Sequence, residues 1–181
     1  AMIQVPGYGK LSIDVSFGGS FFAIIDAEQL GLDICPENAA ELTKAGMAVI
    51  RAANEQIQVS HPELPHITTI DLCEIYGPAK SSDADLQNIT IFDNQIDRSP
   101  CGTGTCAKVA ALWAKGQLKV GENFVYESVI NTKFVGKALR ETTVGPYRAI
   151  IPQVTGSAYI TGYAQWMIDE DDPVKYGFIL G

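Results

Sequence analysis

The chain has 181 residues, of which 46% are hydrophobic and 19% charged. This composition provides enough apolar surface for a buried core and excludes disorder as the main state. Thirteen basic and twenty-one acidic residues give a formal net charge of −8, so the surface repels phosphate backbones and we expect no nucleic-acid partner.

The sequence also contains no apolar run of about eighteen residues, and we therefore expect no membrane partner. The first twenty residues lack the pattern of a secretory signal. The four cysteines, at positions 35, 73, 101 and 106, are too few and too scattered for a disulfide scaffold. Together these features favour reduced thiols in a cytoplasmic protein.

Hydrophobic periodicity predicts the elements of the first half of the chain. The alternating segment Lys10–Phe17 and the apolar segment Phe21–Ile25 are separated by two glycines, which predicts an antiparallel hairpin. Apolar residues at helical spacing predict an outer helix over about residues 37–58, with Pro36 at its start. Two further strands are predicted at Ile67–Tyr76 and Ile89–Phe92.

The second half is predicted to begin with a second helix, over about residues 105–116, which ends at a glycine. Its expected buried stripe consists of Cys106, Val109, Ala110, Trp113 and Ala114. Strands are predicted to follow over residues 124–130, 133–140, 149–152 and 158–168. Two helices and about eight strands indicate an α+β fold with mostly antiparallel pairing.

The segment that suggests chemistry is Asp97–Cys106, which reads DRSPCGTGTC. Cys101 immediately precedes a predicted helix, where free backbone N–H groups carry partial positive charge. We expect this position to lower the pKa of the thiol, and the N–H groups of Gly102 and Thr103 to bind a small carboxylate. Asp97 is placed to accept a hydrogen bond from a substrate ammonium group. This combination suits proton removal at the α-carbon of an amino acid.

Other interpretations of the same residues remain open. A glycine-rich turn before a helix is often only a tight connection. Cys101 and Cys106 do not have the spacing of a metal site, and we expect no metal. We interpret Cys106, Cys35 and Cys73 as core residues. A cysteine hydrolase that uses His66 has no supporting motif.

At these residues the chain resembles the proline racemase family, which includes hydroxyproline 2-epimerases and trans-3-hydroxyproline dehydratases. The string DRSPCGTGT carries the resemblance, with VPGYGKLSIDVSFGGSFFAIIDA near the start and VTGSAYITG near the end. The similarity extends from about Ile3 to Gly181 and corresponds to the C-terminal half of a clostridial-type proline racemase. It implies a lobe like that of diaminopimelate epimerase, with strands wrapped around the central helix at about 105–116.

The resemblance also implies a mechanism without cofactors, in which two cysteines on opposite faces of the substrate exchange the α-proton. Cys101 would be one of the pair, and Gly102 and Thr103 would bind the substrate carboxylate. Asp97 would meet the ring nitrogen, and Phe92 would match an aromatic residue that contacts the ring. Dehydratases of the family tend to have Thr at the position of Cys101, so the resemblance favours a racemase or epimerase of free proline.

The family's Met-Cys-Gly-His loop, which carries the other cysteine, is absent from this sequence. We therefore expect residues 1–181 to form a single lobe that lacks its N-terminal partner lobe and is inactive alone. Family resemblance also makes a homodimer possible. The alternatives are a hydroxyproline 2-epimerase, a lobe that binds small carboxylates without catalysis, and a truncated product that self-associates.

Overall fold

The computed structural model describes residues 1–179 as an assembly of ten strands, two α-helices and two short 3₁₀ turns. The strands are β1 (Met2–Val5), β2 (Gly9–Ser12), β3 (Asp14–Phe17), β4 (Phe21–Asp26), β5 (Ile70–Pro78), β6 (Leu86–Phe92), β7 (Gln95–Ile96), β8 (Asn123–Ser128), β9 (Lys133–Val144) and β10 (Tyr147–Thr155). The helices are α1 (Ala39–Gln56) and α2 (Gly102–Ala114), and the 3₁₀ turns are Ala27–Leu30 and Pro36–Asn38. Neither of these helices is long and apolar enough to cross a membrane. The predicted α+β class is confirmed.

One mixed sheet forms most of the structure. Its strands are ordered β10-β9-β8-β6-β5-β4-β3, with β7 paired to β6, while β1 and β2 form a separate pair. The pairs β4–β5 and β6–β8 are parallel, and the other pairs are antiparallel. Helix α2 contacts β3 and β4 near one end of this order and β9 and β10 at the other. The sheet therefore curls around α2, which is the predicted central helix.

The two helices lie on opposite faces of the central strands. Alternate residues of β5 and β6, such as Cys73 and Ile91, are buried in the core under α1. The intervening residues face α2, and Leu72 packs there with Phe22 and Cys101. Because strand residues alternate between faces, the polar residues of β5 and β6 that share the parity of Leu72 also face α2.

Helix α1 follows the predicted pattern closely. Its buried residues include Leu42, Ala45, Val49 and Ala53, which recur at helical spacing. A Cβ atom at Gly46 would lie 2.9 Å from Cβ of Ile91, so this glycine permits close contact between helix and sheet. The predicted start at residue 37 falls in the 3₁₀ turn that precedes the helix.

The predicted strand Lys10–Phe17 is two strands in the structure. β2 pairs with β1, whereas β3 pairs with β4 as the predicted hairpin requires. The break is at Ile13, whose backbone N–H donates to the carbonyl of Ala1 at 2.8 Å. Alternation continues across this break and therefore could not reveal it. Strand β1 was not predicted.

The predicted strand at residues 158–168 is wrong. This segment contains no strand, and Tyr159, Tyr163 and Trp166 are 87%, 94% and 89% exposed. Large apolar residues favoured a strand, but a strand also needs a neighbour for its backbone hydrogen bonds. No such neighbour is present among residues 1–179.

Burial along α2 also differs from the predicted stripe. The buried residues are Gly104, Thr105, Ala107, Lys108 and Val109, whereas Cys106 and Trp113 are only half-buried and Ala114 is exposed. Two polar side chains are thus buried on this helix. Lys108 lies over the ring of Tyr76 from β5, whereas the Thr105 hydroxyl donates to the carbonyl of Cys101 at the start of the helix itself.

The turn between β3 and β4 fixes the position of the first turn of α2. A Cβ atom at Gly18 would fall on the carbonyl oxygen of Thr103 and lie 2.5 Å from the backbone nitrogen of Ala107. A Cβ atom at Gly19 would lie 2.7 Å from Cγ2 of Thr103. The backbone of this turn therefore lies directly against the helix start.

We expect Gly18→Ala to lower the free energy of unfolding by about 3 kcal/mol, because a methyl group there must displace the backbone of α2. Chemical denaturation followed by circular dichroism measures this change. Gly77→Ala is the matched control, since its added Cβ would meet Ile34 at an ordinary 3.6 Å. Equal stability of the two variants would contradict the close approach.

Candidate active site at the start of helix α2

A tight turn returns the chain from β6 toward α2. Asp93 and Asn94 have φ values of 47° and 58°, the left-handed conformation of a two-residue hairpin turn. The backbone N–H of Asp97 then donates to the carbonyl of Thr90 at 3.0 Å, which extends the pairing of β7 with β6. The hairpin therefore fixes the position of Asp97 before the loop to Cys101 begins.

Asp97 organises this loop through Ser99. Its Oδ1 atom accepts hydrogen bonds from the backbone N–H of Ser99 at 2.8 Å and from the Ser99 hydroxyl at 2.9 Å. The Ser99 Oγ atom in turn accepts a hydrogen bond from the backbone N–H of Cys101 at 3.0 Å. Asp97 thus holds Cys101 in place through one intervening side chain.

Cys101 has a backbone conformation that L-amino acids rarely adopt, with φ of 65° and ψ of 121°. Such a conformation costs about 1–3 kcal/mol and persists only where the surrounding structure imposes it. The consequence here is that the side chain turns back over the helix start. Its Sγ atom accepts a hydrogen bond from the backbone N–H of Gly104 at 3.3 Å and lies 3.7 Å from Oγ1 of Thr103.

Side-chain hydrogen bonds to backbone carbonyls hold Cys101 and the residue before it in place. The Thr105 hydroxyl donates to the carbonyl of Cys101 at 2.6 Å, and Nδ2 of Asn88 donates to the carbonyl of Pro100 at 2.8 Å. Gly102 and Thr103 are exposed and form the first turn of α2. Their N–H groups have no acceptor within the helix, because the first turn of any helix lacks one. These groups are therefore available to an anion beside the thiol.

The expectation of a lowered thiol pKa is wrong for this structure. Burial raises the pKa of Cys101 above its ordinary value of 9.0, and the hydrogen bonds from Gly104 and Thr103 lower it by less. The negative charges of Asp97 and Glu74 raise it further. The helix start does act in the expected direction, but desolvation of the thiolate outweighs it.

A buried polar cluster lies beneath this turn. Glu74 of β5 is fully buried, and its Oε1 atom accepts a hydrogen bond from the Tyr126 hydroxyl at 2.6 Å. Lys108 places its ammonium group 3.0 Å from the centroid of the Tyr76 ring. Burial raises the pKa of Glu74 to about 7 and lowers the pKa of Lys108 to about 8, although the two charges attract each other.

Comparison with known proteins places this chain in a family. The sequence profile of the family described as proline racemase matches residues 1–179. The chain belongs to the proline racemase family. It is 54% identical over 179 residues to a proline racemase of Clostridioides difficile, a match that covers 98% of this chain and 53% of that protein.

Other family members have different activities. The chain is 38% identical to a trans-3-hydroxy-L-proline dehydratase of Burkholderia cenocepacia, over 98% of this chain and 53% of that protein. A crystal structure of a hydroxyproline epimerase from Agrobacterium vitis, with bound trans-4-hydroxy-L-proline, superposes with a TM-score of 0.85 at 36% identity. That match covers 99% of this chain and 52% of the epimerase. The chain thus spans about half the length of these relatives.

The other residues that the family resemblance suggested are placed as follows. Phe92 is half-buried at the end of β6, where it pairs with Gln95 across the hairpin turn. Since Thr90 lies opposite Asp97 in the same hairpin, strand alternation places Phe92 and Asp97 on one face. No direct contact between Phe92 and Cys101 is among the described interactions.

The remaining cysteines are all free thiols. Cys73 is buried in the core, as expected. Cys106 and Cys35 are only half-buried, so their assignment to the core is wrong. Cys35 immediately precedes the 3₁₀ turn at Pro36 and is not within a strand. His66 is exposed, and no hydrogen bond joins it to Cys101 in the described part of the chain.

Sequence reasoning missed several residues of the site. Ser99 could have been recognised, because Asp-x-Ser is a common turn motif in which the carboxylate accepts the serine N–H. Glu74 is the one ionisable carboxyl group within the apolar run LCEIY, and that position indicated either an edge or a buried partner. No comparable sequence signal marked Lys108 or Tyr126 as buried, because both residue types are also common on protein surfaces.

We expect Glu74→Gln to change the pH dependence of stability. A carboxyl group whose pKa rises from 4.5 to about 7 on folding stabilises the fold below pH 4.5, and that stabilisation is lost as pH rises through 7. Glu74→Gln has no ionisable group at this position, so its stability does not fall in this way as pH rises. The stability of the variant relative to the wild type should therefore increase by about 3 kcal/mol between pH 5 and pH 8.

Urea denaturation at several pH values measures this difference. Glu55→Gln is the control, because Glu55 is an exposed residue of α1 and its replacement makes the same change in charge. A Glu74→Gln difference that is constant from pH 5 to pH 8 would contradict the raised pKa.

Proposed function

We propose that this chain is one lobe of a cofactor-independent racemase or epimerase that inverts the α-carbon of free proline, with Cys101 as one of its two acid/base groups. The observation that carries the proposal is the strained Cys101 backbone, which directs the thiol over the first turn of α2. A fold that maintains such strain at a nucleophilic side chain is typical of an active site. Membership of the family supports the reaction class.

Substrate binding in this proposal uses the groups around the thiol. The N–H groups of Gly102 and Thr103 hold the substrate carboxylate, where they stabilise the negative charge that develops as the α-proton leaves. Asp97 accepts a hydrogen bond from the ring ammonium through Oδ2, since Oδ1 is already bonded to Ser99. Phe92, on the same hairpin face as Asp97, contacts the ring.

Inversion proceeds by transfer of two protons on opposite faces. One group removes the α-proton, the electron pair remains on the α-carbon and its carboxylate, and the other group delivers a proton to the opposite face. Cys101 supplies one of these groups. The second group comes from a partner lobe, because the Met-Cys-Gly-His loop is absent from residues 1–181.

The C-terminal tail provides a surface to which a partner could bind. Residues 156–179 lie outside helices and strands, and ten of their large apolar side chains are exposed. An exposed apolar segment of this size is typical of an interface. We infer that it packs against a partner, which is either the half of the relatives' length that this chain does not span or a second copy of this chain.

The substrate could instead be hydroxyproline, and the solved epimerase with bound trans-4-hydroxy-L-proline favours this second candidate. A dehydratase is less favoured, because the resemblance associates Thr with the position that Cys101 occupies here. Chiral chromatography after incubation with L-proline or trans-4-hydroxy-L-proline separates the two candidate substrates.

We expect the chain alone not to invert proline, and inversion to appear when the N-terminal half of the Clostridioides difficile relative is co-expressed with it. In that complex Cys101→Ser should lower the rate by about 10³-fold, because the serine hydroxyl is a far weaker acid than the thiol. Cys106→Ser is the matched control and should stay within about 3-fold. Polarimetry measures inversion, and NMR in deuterated buffer measures α-proton exchange.

Retained inversion in Cys101→Ser would overturn the role of this thiol. Inversion of both enantiomers by the chain alone would overturn the proposal of a second group from a partner. Exchange of a single enantiomer by the chain alone would support the assignment of Cys101 as one of two groups.

A lobe that only binds small carboxylates is a further candidate, favoured by the exposed first turn of α2. Gly102→Pro removes one N–H donor. Position 102 is the first residue of α2, where proline is tolerated, and no atom lies within 4 Å of a Cβ there. We expect it to weaken binding of pyrrole-2-carboxylate about 10-fold in isothermal calorimetry. Gly102→Ala keeps the donor and should bind normally, and equal affinities of both variants would exclude this amide as a ligand.

A further inference from the structure

The carboxyl group of Glu74 and the thiol of Cys101 border the same residue. A Cβ atom at Gly104 would lie 2.6 Å from Oε2 of Glu74 and 3.2 Å from Sγ of Cys101. Oε2 and Sγ are therefore no more than about 5.8 Å apart. Glu74 reaches this position from β5 on the inner face of the sheet, so the carboxyl group lies beneath the thiol.

The hydrogen bonds around Glu74 are incomplete. Its Oε2 atom has no partner in the described part of the chain, and neither do Oδ1 of Asn88 and Oγ1 of Thr90. Thr90 of β6 lies directly opposite Glu74 in the β5–β6 pairing. Asn88 is two residues before Thr90 on β6 and therefore faces the same side of the sheet. Oδ1 of Asn88 can only accept a hydrogen bond, whereas the Thr90 hydroxyl can donate or accept. A carboxylate offers acceptors alone, and a protonated carboxyl group adds the donor that Oδ1 of Asn88 needs.

This cluster is also connected to the backbone of the site. Nδ2 of Asn88 donates to the carbonyl of Pro100, which immediately precedes Cys101. Glu74 contacts the helix start at Gly104, and the N–H of Gly104 donates to the thiol. A change of charge at Glu74 therefore acts on Cys101 directly through space and indirectly through the residues that hold it.

We propose that Glu74 is a positioning residue for Cys101, whose buried carboxyl group supports thiolate formation while protonated and opposes it once ionised. This proposal rests on the proposed role of Cys101 as an acid/base group. The new element is a pH-dependent control of the Cys101 thiol by Glu74. Glu74 lies on the buried side of the thiol, away from the exposed turn of the helix.

The sign of the effect follows from the charges that face Glu74. Tyr126 of β8 and Lys108 of α2 act on its carboxyl group. On its own strand, Cys73 and Tyr76 are ionisable and feel its charge. Asp14 of β3 and Asp26 of β4 act on Lys108, while Asp97 acts on Cys101. Because burial raises the pKa of Glu74 to about 7, its negative charge appears as pH rises through neutrality and then raises the pKa of the thiol.

The experiment measures alkylation of Cys101 in the intact chain by iodoacetamide between pH 6 and pH 9. Peptide mass spectrometry distinguishes this residue from the other three free cysteines. Iodoacetamide reacts with the thiolate, so its rate reports the thiolate fraction. In Glu74→Gln the rate relative to the wild type should be close to one at pH 6 and rise to about 3- to 10-fold at pH 8.

Two further variants make the test specific. Glu55→Gln removes an exposed charge on α1 and should react like the wild type at every pH. Tyr126→Phe removes the hydrogen bond that lowers the pKa of Glu74, so the carboxyl group stays protonated to higher pH. At pH 7.5 this variant should react faster than the wild type but more slowly than Glu74→Gln.

A rate ratio for Glu74→Gln that does not change with pH would overturn the proposal, because a purely structural role alters access to the thiol equally at all pH values. If Glu74→Gln does not fold, a Tyr126→Phe rate equal to or below that of the wild type at pH 7.5 overturns it instead. Neither readout requires turnover of proline. The proposed function can therefore fail in the inversion assay while this proposal holds, and the reverse is equally detectable.

Discussion

The backbone conformation of Cys101 is the constraint on which the rest of the site depends. A positive φ at a residue with a side chain is unfavourable, so the surrounding structure must compensate for it. Ser99 binds the N–H of this residue and Thr105 binds its carbonyl, which fixes the peptide groups on both sides. If either contact were lost, relaxation of the backbone would carry the thiol away from the first turn of α2.

Two segments that are distant in the sequence meet at this point because the sheet curls around α2. The β3–β4 turn lies against Thr103 through the backbone of Gly18, while the loop from β7 brings Asp97 to the same helix start. These segments are about eighty residues apart in sequence. The site is thus assembled by tertiary packing, and its geometry is only as stable as the packing of α2 inside the sheet.

Much of this arrangement could be predicted from local sequence, and the rest could not. The spacing of Leu42, Ala45 and Val49 determines the face of α1, and the DRSPCGTGT string locates the thiol at a helix start. The burial of Lys108 could not be predicted, because it depends on the Tyr76 ring contributed by a strand about thirty residues away. The wrong prediction of a strand at 158–168 has a similar origin, since apolar content indicates burial but does not identify the strand that would pair with this segment.

The direction of the thiol pKa was missed for a related reason. The partial charge at a helix start can be predicted from sequence, but the desolvation that opposes it depends on how deeply the residue is packed. With its pKa raised, Cys101 is mainly a protonated thiol near neutral pH. In the proposed reaction, inversion of both enantiomers requires Cys101 to donate a proton in one direction and to accept one in the other. The raised pKa favours the state in which Cys101 is the donor, so the opposite direction depends on forming the thiolate against the cost of its desolvation.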